Sequence, residues 1–171
     1  IYFTDPSYQS GSNCGQGTGT GQKRVYWVSN ATPPVVTAIA SPHDQPNGIA
    51  LSPDGNTLYV AGSSAIQKYT IGSDGAVQGT NCDTTNCGTE FANASGVDGL
   101  AIDCAGNVYA TAHSEGNIKV YSPTGQSLGT IQVGQNVTNA AFGGPENKTL
   151  YVTTYTKALH SVELNIPGYP Y

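Results

Sequence analysis

The chain has 171 residues and a formal net charge of −5, and only 10% of its residues are charged. Its six Lys and Arg residues cannot form the basic surface that a nucleic-acid backbone requires, so we expect no nucleic-acid partner. No apolar stretch approaches the ~20 residues of a membrane-spanning helix, so we expect no membrane association either.

The first segment predicts part of a β-sheet. Residues 1–4 form an apolar, aromatic run, and residues 23–29 and 35–40 form two further strand-like runs. The Gly-rich stretch 11–21 lies between them and predicts a loop, because no helix follows it as in a phosphate-binding motif. Residues 1–4 match the second strand of a unit that recurs later, so we expect residues 1–42 to form a copy without its first strand.

Three later segments repeat one pattern. They read PNGIALSPDGNTLYVAG (46–62), VDGLAIDCAGNVYATA (97–112) and TNAAFGGPENKTLYVTT (138–154). In each, a polar residue precedes an apolar run, then a turn, then a second run that holds a tyrosine, and this order predicts a β-hairpin. The polar residues are Asn47, Asp98 and Asn139, and the tyrosines, which we expect to pack between blades, are Tyr59, Tyr109 and Tyr151.

Further strand-like runs follow each hairpin. We predict them at 65–71, 76–80, 117–121, 127–133 and 159–164. Four antiparallel strands in a period of about 40–50 residues are typical of a β-propeller blade. We therefore predict an all-β fold of three to four propeller blades, divided into 1–42 (incomplete), 43–95, 96–135 and 136–171, the last without an obvious fourth strand.

Natural propellers close into a ring, which removes exposed strand edges. We therefore expect the remaining blades to come from elsewhere. One hypothesis is a complementary N-terminal propeller portion, in a cleaved two-chain protein or a longer polypeptide. The alternative is another copy of the same chain that completes the ring.

The four cysteines give one local prediction. Cys82 and Cys87 lie in a polar segment where a disulfide between them is plausible. Zinc is a weaker interpretation, because no second pair has ligand spacing and the three histidines are scattered. Cys14 and Cys104 have no evident partner nearby in the sequence.

Four N-x-S/T sequons, at Asn30, Asn93, Asn136 and Asn147, are candidate glycosylation sites. Together with the cysteines and the low charge, they favour a secreted, extracellular protein.

The runs IYFTDPSY, PNGIALSPDGNTLYV, DGLAIDCAGNVYAT and TNAAFGGPENKTLYVTT, in this order, resemble the SMP-30/gluconolactonase/LRE-like family, in particular its secreted gluconolactonase-like members. The resemblance implies a six-bladed propeller, of which the chain would be the part from within the third blade onward. It fits the related strictosidine-synthase-like group less well.

The resemblance also implies a divalent cation, most often Ca²⁺, on the propeller axis. Carried over by motif, its ligands here are Asn47 and Asp98, whereas a Glu and another Asn would come from upstream. Val97 stands where the family usually has Pro, which leaves the ligand itself in place. Amide and carboxylate oxygens suit calcium, but two side chains cannot supply its six to eight ligands.

The implied activity is hydrolysis of sugar lactones, with Asp98 holding the metal and able to take a proton from the attacking water. Side chains that we expect to border the substrate pocket are Thr4, Asp5, Tyr8, His43, His113 and Asn139. Simpler interpretations are that Asn47, Asp98 and Asp5 form turns and that the two histidines lie in surface loops. The competing function is that of a non-catalytic secreted propeller that binds a partner or assembles with itself.

Overall fold

The computed structural model describes residues 1–6, 23–40, 43–82, 85–134 and 136–170. Tyr8, Cys14 and the Gly-rich stretch 11–21 lie outside the described residues. The described residues contain two helical turns of three residues each, His113–Glu115 and Pro145–Asn147, and no helix among them has the length and apolarity to span a bilayer.

Fourteen strands form four antiparallel sheets, which confirms the all-β prediction. The first sheet contains β1 (Tyr2–Asp5), β2 (Arg24–Val28) and β3 (Val36–Ala40). The second contains β4 (Ile49–Leu51), β5 (Thr57–Ala61), β6 (Ala65–Thr70) and β7 (Thr89–Asn93). The third contains β8 (Val97–Ile102), β9 (Val108–Ala112), β10 (Asn117–Tyr121) and β11 (Ser127–Gln132). The fourth contains β12 (Val137–Gly143), β13 (Thr149–Thr154) and β14 (Leu159–Glu163).

In every sheet, strands that follow each other in the chain are hydrogen-bonded neighbours, as in a propeller blade. Each of β4, β8 and β12 is the edge strand of its sheet, and β8 contacts both β4 and β12. These three strands are therefore the inner strands. We call the end at which they begin the upper face and the end at which they finish the lower face.

The prediction of a strand at 76–80 is wrong. After the turn that follows Ile71, Val77 makes only an isolated bridge back to Ile71, and the chain then enters the loop closed by a disulfide between Cys82 and Cys87. The fourth strand is β7, because it buries Phe91 against the ring of Tyr59 at 4.7 Å, whereas 76–80 has no comparable apolar residue to bury. The predicted disulfide is confirmed.

A separate apolar core fills each space between neighbouring sheets. Val25 and Leu58 belong to the core between the first and second sheets, and Leu150 to the core between the third and fourth. Tyr59 and Tyr109 are buried in these spaces, as predicted. Tyr151 alternates with the inward-facing Leu150, so it points to the other side of the fourth sheet, where it is 37% exposed. No further sheet of the described residues packs on that side, so the packing of Tyr151 between blades stays a prediction.

Glycine lets the inner strands converge at the upper face. A methyl group at Gly48 would lie 2.5 Å from the backbone oxygen of Asp98, and one at Gly99 would lie 2.9 Å from the Cα of Asn139. Side chains larger than hydrogen would therefore hold the strands apart. Each glycine follows the polar residue of its repeat, so the same close approach brings Asn47, Asp98 and Asn139 to one end of the molecule.

The C-terminal segment crosses the lower face. Cys104 donates its backbone N–H to the oxygen of Pro167, and Tyr169 donates its N–H to that of Ile102. The side chain of Asn147 donates to the oxygen of Gly168 at 2.7 Å. These bonds fix the segment beneath the third and fourth sheets.

Candidate active site at the upper face

Asn47 and Asp98 are in direct contact at the upper ends of neighbouring inner strands. The Nδ2 of Asn47 donates to the Oδ1 of Asp98 at 2.8 Å. The backbone of Asn47 is held from both sides, because its N–H donates to Ala61 and its oxygen accepts from the Thr4 hydroxyl at 2.9 Å. Both side chains are half-buried, which leaves them open to a ligand.

Thr111 fixes the strand that carries Asp98, and the sequence analysis missed it. Its buried hydroxyl accepts from the N–H of Gly99 at 2.7 Å and lies 3.2 Å from the oxygen of Thr138 on the next inner strand. The signal was a single polar residue in the otherwise apolar run VYATA. Thr111 therefore joins the third and fourth sheets directly behind Asp98.

His113 lies beside Asp98. Its Nδ1 is 3.0 Å from the backbone oxygen of Val137 and 3.9 Å from the Oδ2 of Asp98. Because a carbonyl oxygen can only accept, Nδ1 carries a hydrogen, and in the neutral form of the ring Nε2 is the acceptor. The edge of the Tyr155 ring packs on the imidazole, with 6.3 Å between ring centres.

The other predicted pocket residues are placed differently. Asn139 is the third residue of the third inner strand and is exposed, but its Oδ1 accepts from the N–H of Ala140 at 2.9 Å. Thr4 uses its hydroxyl on the Asn47 backbone and so positions the site without lining it. Asp5 lies opposite Arg24 at the end of β1 and lines neither of the two cavities described below.

His43 is not a surface-loop residue and does not border the site, so both expectations for it are wrong. Its side chain is 2% exposed, between the first and second sheets, with its ring 6.4 Å from that of Tyr69. Neither ring nitrogen has a hydrogen-bond partner of good geometry among the described residues. Burial lowers the pKa of His43 to about 4, against a weaker opposing effect of Asp44.

Two cavities meet at the Asn47–Asp98 pair. The axial cavity, of 1520 Å³, follows the inner strands from this pair down to Tyr169 at the lower face. The upper cleft, of 530 Å³, lies between the second and third sheets. It is lined by Gln45, Asn47, Gly62, Ser63, Gly96, Val97, Asp98, His113 and Ser114.

The Asn47–Asp98 pair fits part of a calcium site. The Oδ1 of Asn47 and the Oδ2 of Asp98 accept no hydrogen bond from a described residue, and rotation of the Asn47 amide would turn its oxygen toward Asp98. Such oxygens suit a hard cation. Two residues are too few, and no group of three or more His, Cys, Asp or Glu in the described ranges could hold a metal. Zinc at Cys82 and Cys87 does not fit, because these two cysteines form the disulfide.

The sequons differ in accessibility. Asn30, Asn93 and Asn136 are exposed, whereas Asn147 is half-buried and uses its amide on the C-terminal segment. Glycosylation and secretion remain predictions. Cys104 is an exposed free thiol that lies 3.2 Å from the backbone oxygen of Gly168.

Comparison with known proteins agrees with this geometry. Residues 1–156 match the model of the SMP-30/gluconolactonase/LRE-like region. The chain is 31% identical over 163 residues to a gluconolactonase of Zymomonas mobilis, an alignment that covers 90% of the chain and 44% of that protein. The chain belongs to this family. The chain spans less than half of this relative and likewise less than half of two further curated relatives, from Pseudomonas putida and Haloferax volcanii.

Solved structures of the family show the same fold. A gluconolactonase of Xanthomonas campestris superposes with a TM-score of 0.69 at 23% identity, over 98% of the chain and 53% of that protein. A regucalcin of Agrobacterium tumefaciens, described as a calcium-binding protein, superposes with a TM-score of 0.68 at 22% identity, over 86% of the chain and 54% of that protein. The four sheets are thus three to four blades of a six-bladed β-propeller.

Proposed function

We propose that the complete protein hydrolyses sugar lactones and that this chain supplies one side of its active site. The observation that carries the proposal is the half-buried Asn47–Asp98 pair, which is held by the backbone at the junction of two cavities. Membership of the family and the 31% identity to a gluconolactonase support the choice of substrate.

We propose Ca²⁺ as the cofactor, held on this side by the side-chain oxygens of Asn47 and Asp98. When bound, a divalent cation polarises the ester carbonyl of the lactone and stabilises the negative charge that develops on its oxygen. The unfilled acceptors of the pair support this assignment, as does the description of the Agrobacterium neighbour as calcium-binding. The remaining ligands would come from the rest of the propeller.

The residues of the chain have separable tasks in this mechanism. In the structure, Asn47 orients the carboxylate of Asp98 through the 2.8 Å hydrogen bond to Oδ1. With the amide oxygen of Asn47 and one oxygen of Asp98 on the cation, the other oxygen of Asp98 would accept a hydrogen bond from the attacking water, as a proton acceptor must. His113 lies beside the carboxylate, and its contact with the ring of Tyr155 and its hydrogen bond to Val137 would hold the imidazole in place.

The substitution Asp98→Ala in the complete protein tests the proposal. We expect the hydrolysis of D-glucono-1,5-lactone to fall by at least about a hundredfold, because a group at the reacting centre is lost. Asp54→Ala is the matched control, since Asp54 is an exposed carboxylate in a turn of the lower face and its loss leaves the site intact. Unchanged turnover in Asp98→Ala, measured above the spontaneous rate, would refute the mechanism.

The second candidate is a non-catalytic propeller that binds a partner or a second copy of itself. In that function, the far side of the fourth sheet, where Tyr151 and Leu159 are 37% and 67% exposed in this chain, would pack against the partner or the second copy. The same experiment separates the two functions. If the unsubstituted complete protein hydrolyses no lactone, the binding function replaces the enzymatic one.

A further inference from the structure

We propose that the upper cleft binds a neutral, polyhydroxylated substituent on the lactone ring, such as a second sugar unit. This inference rests on the proposed function and specifies its substrate class. The cleft is continuous with the reacting centre, since Asn47 and Asp98 belong to its lining. Its volume of 530 Å³ lies within the range of about 300–1,000 Å³ that small-molecule sites occupy.

The walls of the cleft belong to this chain. The cleft lies between the second and third sheets, which both have four strands here. All the described residues that line it belong to these two sheets and to the loops at their upper ends. A group bound in the cleft leads away from the axis, past the loops that contain Ser63 and Gly96.

Backbone hydrogen bonds fix these loops to one another. Ser63 donates its N–H to the oxygen of Asp44 at 2.8 Å, Gly96 donates to the oxygen of Ser63 at 3.0 Å, and His113 donates to the oxygen of Gly96 at 3.0 Å. These three bonds join four successive loops of the upper face, those that contain Asp44, Ser63, Gly96 and His113. The cleft is thus pre-formed, so a ligand need not order it on binding.

The polar groups in the cleft are uncharged hydrogen-bonding groups, apart from Asp98. Ser63 and Ser114 are exposed, and their hydroxyls make no hydrogen bond to another described residue. His113 presents Nε2 as an acceptor, because its Nδ1–H is directed at Val137. Donors and acceptors of this kind match the hydroxyl groups of a sugar.

The charge of the residues that line the cleft favours neutral substituents over anionic ones. The lining includes the carboxylate of Asp98, and among the described residues it contains no Lys or Arg. Beyond the proposed metal position at Asn47 and Asp98, a phosphate or sulfonate in the cleft would lose hydration and gain no positively charged side chain as a partner. We therefore expect the cleft to favour a glycosyl group over an anionic group of similar size.

Gly96 offers a direct way to block the cleft. It has φ +62°, and a side chain there would meet no atom within 4 Å, so it would project into open space. Asn tolerates this left-handed conformation, which makes Gly96→Asn a suitable variant. Gly55→Asn is its matched control, because Gly55 has φ +72° and equally open surroundings but lies in a hairpin turn of the lower face.

The test compares three substrates in the complete protein: D-glucono-1,5-lactone, cellobiono-1,5-lactone as the neutral glycosylated form, and 6-phosphoglucono-1,5-lactone as the anionic form. We expect the glycosylated lactone to be hydrolysed with a kcat/KM at least equal to that of gluconolactone, and the phosphorylated one more slowly than both. In Gly96→Asn, kcat/KM for the glycosylated lactone should fall by at least about tenfold, the equivalent of losing one or two hydrogen bonds. Gluconolactone hydrolysis should stay within about twofold, and Gly55→Asn should change neither.

Three results would overturn the inference and leave the proposed function intact. They are hydrolysis of gluconolactone without hydrolysis of the glycosylated lactone, an equal loss for both neutral substrates in Gly96→Asn, and a preference for the phosphorylated lactone. Failure to hydrolyse any of the three lactones would refute the proposed function itself.

Discussion

The upper and lower faces of this propeller segment both carry polar side chains, but they use them differently. At the lower face, the buried carboxylate of Asp103 accepts hydrogen bonds from the N–H groups of Ala105 and Asn107, the Asn107 amide and the Tyr109 hydroxyl. At the upper face, Asp98 has one side-chain partner, Asn47, at hydrogen-bond distance. One carboxylate is saturated within the chain, whereas the other keeps an open oxygen.

This difference separates a structural role from a functional one. A buried carboxylate that has all its partners holds a turn in place and has no capacity left for a ligand. A half-buried carboxylate with an open oxygen beside a cavity can bind a cation or a substrate. Asp98 and Asp103 belong to the same repeat, but they lie at opposite ends of the inner strand β8. Asp103 therefore has a structural role, and Asp98 is available to a ligand.

Among changes at the lower face, we expect the largest loss of folding stability from Asp103→Ala. It leaves the buried N–H and side-chain amide of Asn107 and the part-buried N–H of Ala105 without this partner, so the free energy of unfolding should fall by about 3–5 kcal/mol. Chemical denaturation followed by circular dichroism measures this. Asp54→Ala is the control: Asp54 occupies the corresponding turn of the second sheet but is exposed, and a smaller loss is expected there. Equal losses in the two variants would contradict the distinction between a buried and an exposed carboxylate.

His43 should cause a smaller loss of folding stability, which depends on pH. Its pKa of about 4 in the folded protein lies below the ordinary value of 6.5, so protonation favours the unfolded state. Stability from this group is complete above pH 6.5 and is lost as the pH falls from 6.5 toward 4. Between pH 7 and pH 5 the loss should be about 2 kcal/mol.

His43→Leu isolates this contribution. Leucine fills the space beside Tyr69 but cannot be protonated. The variant should therefore lose less stability than the unsubstituted protein over the same pH range. Parallel curves of unfolding free energy against pH for the two proteins would show that His43 is not the group responsible.

Repetition made much of the fold predictable from the sequence. The three hairpins with their aligned polar residues gave the inner strands, and the Gly that follows Asn47 and Asp98 explains why these strands approach each other. The strand β7 was placed wrongly, because the disulfide loop between Cys82 and Cys87 interrupts the spacing of the repeat. The burial of Phe91 becomes evident only from its contacts with Tyr59 of the same sheet and Tyr121 of the third sheet.

The site was predictable to a lesser extent. Motif position indicated Asn47 and Asp98 as neighbours, and their side chains are in contact. The roles of Thr111 and Tyr155 depend on contacts with neighbouring elements, which no local pattern encodes. The burial of His43 likewise follows from the packing of the first sheet against the second, which lies outside the reach of a sequence motif.

The most direct test of the proposed site is calcium binding by the complete protein and by its Asp98→Ala variant, measured by isothermal titration calorimetry after removal of bound metal. We predict one tight site in the unsubstituted protein and in Asp103→Asn, a lower-face control that retains the size of the buried side chain, and loss of that site in Asp98→Ala. Equal calcium affinity with and without the Asp98 carboxylate would contradict the assignment of the upper face as the metal and reaction centre.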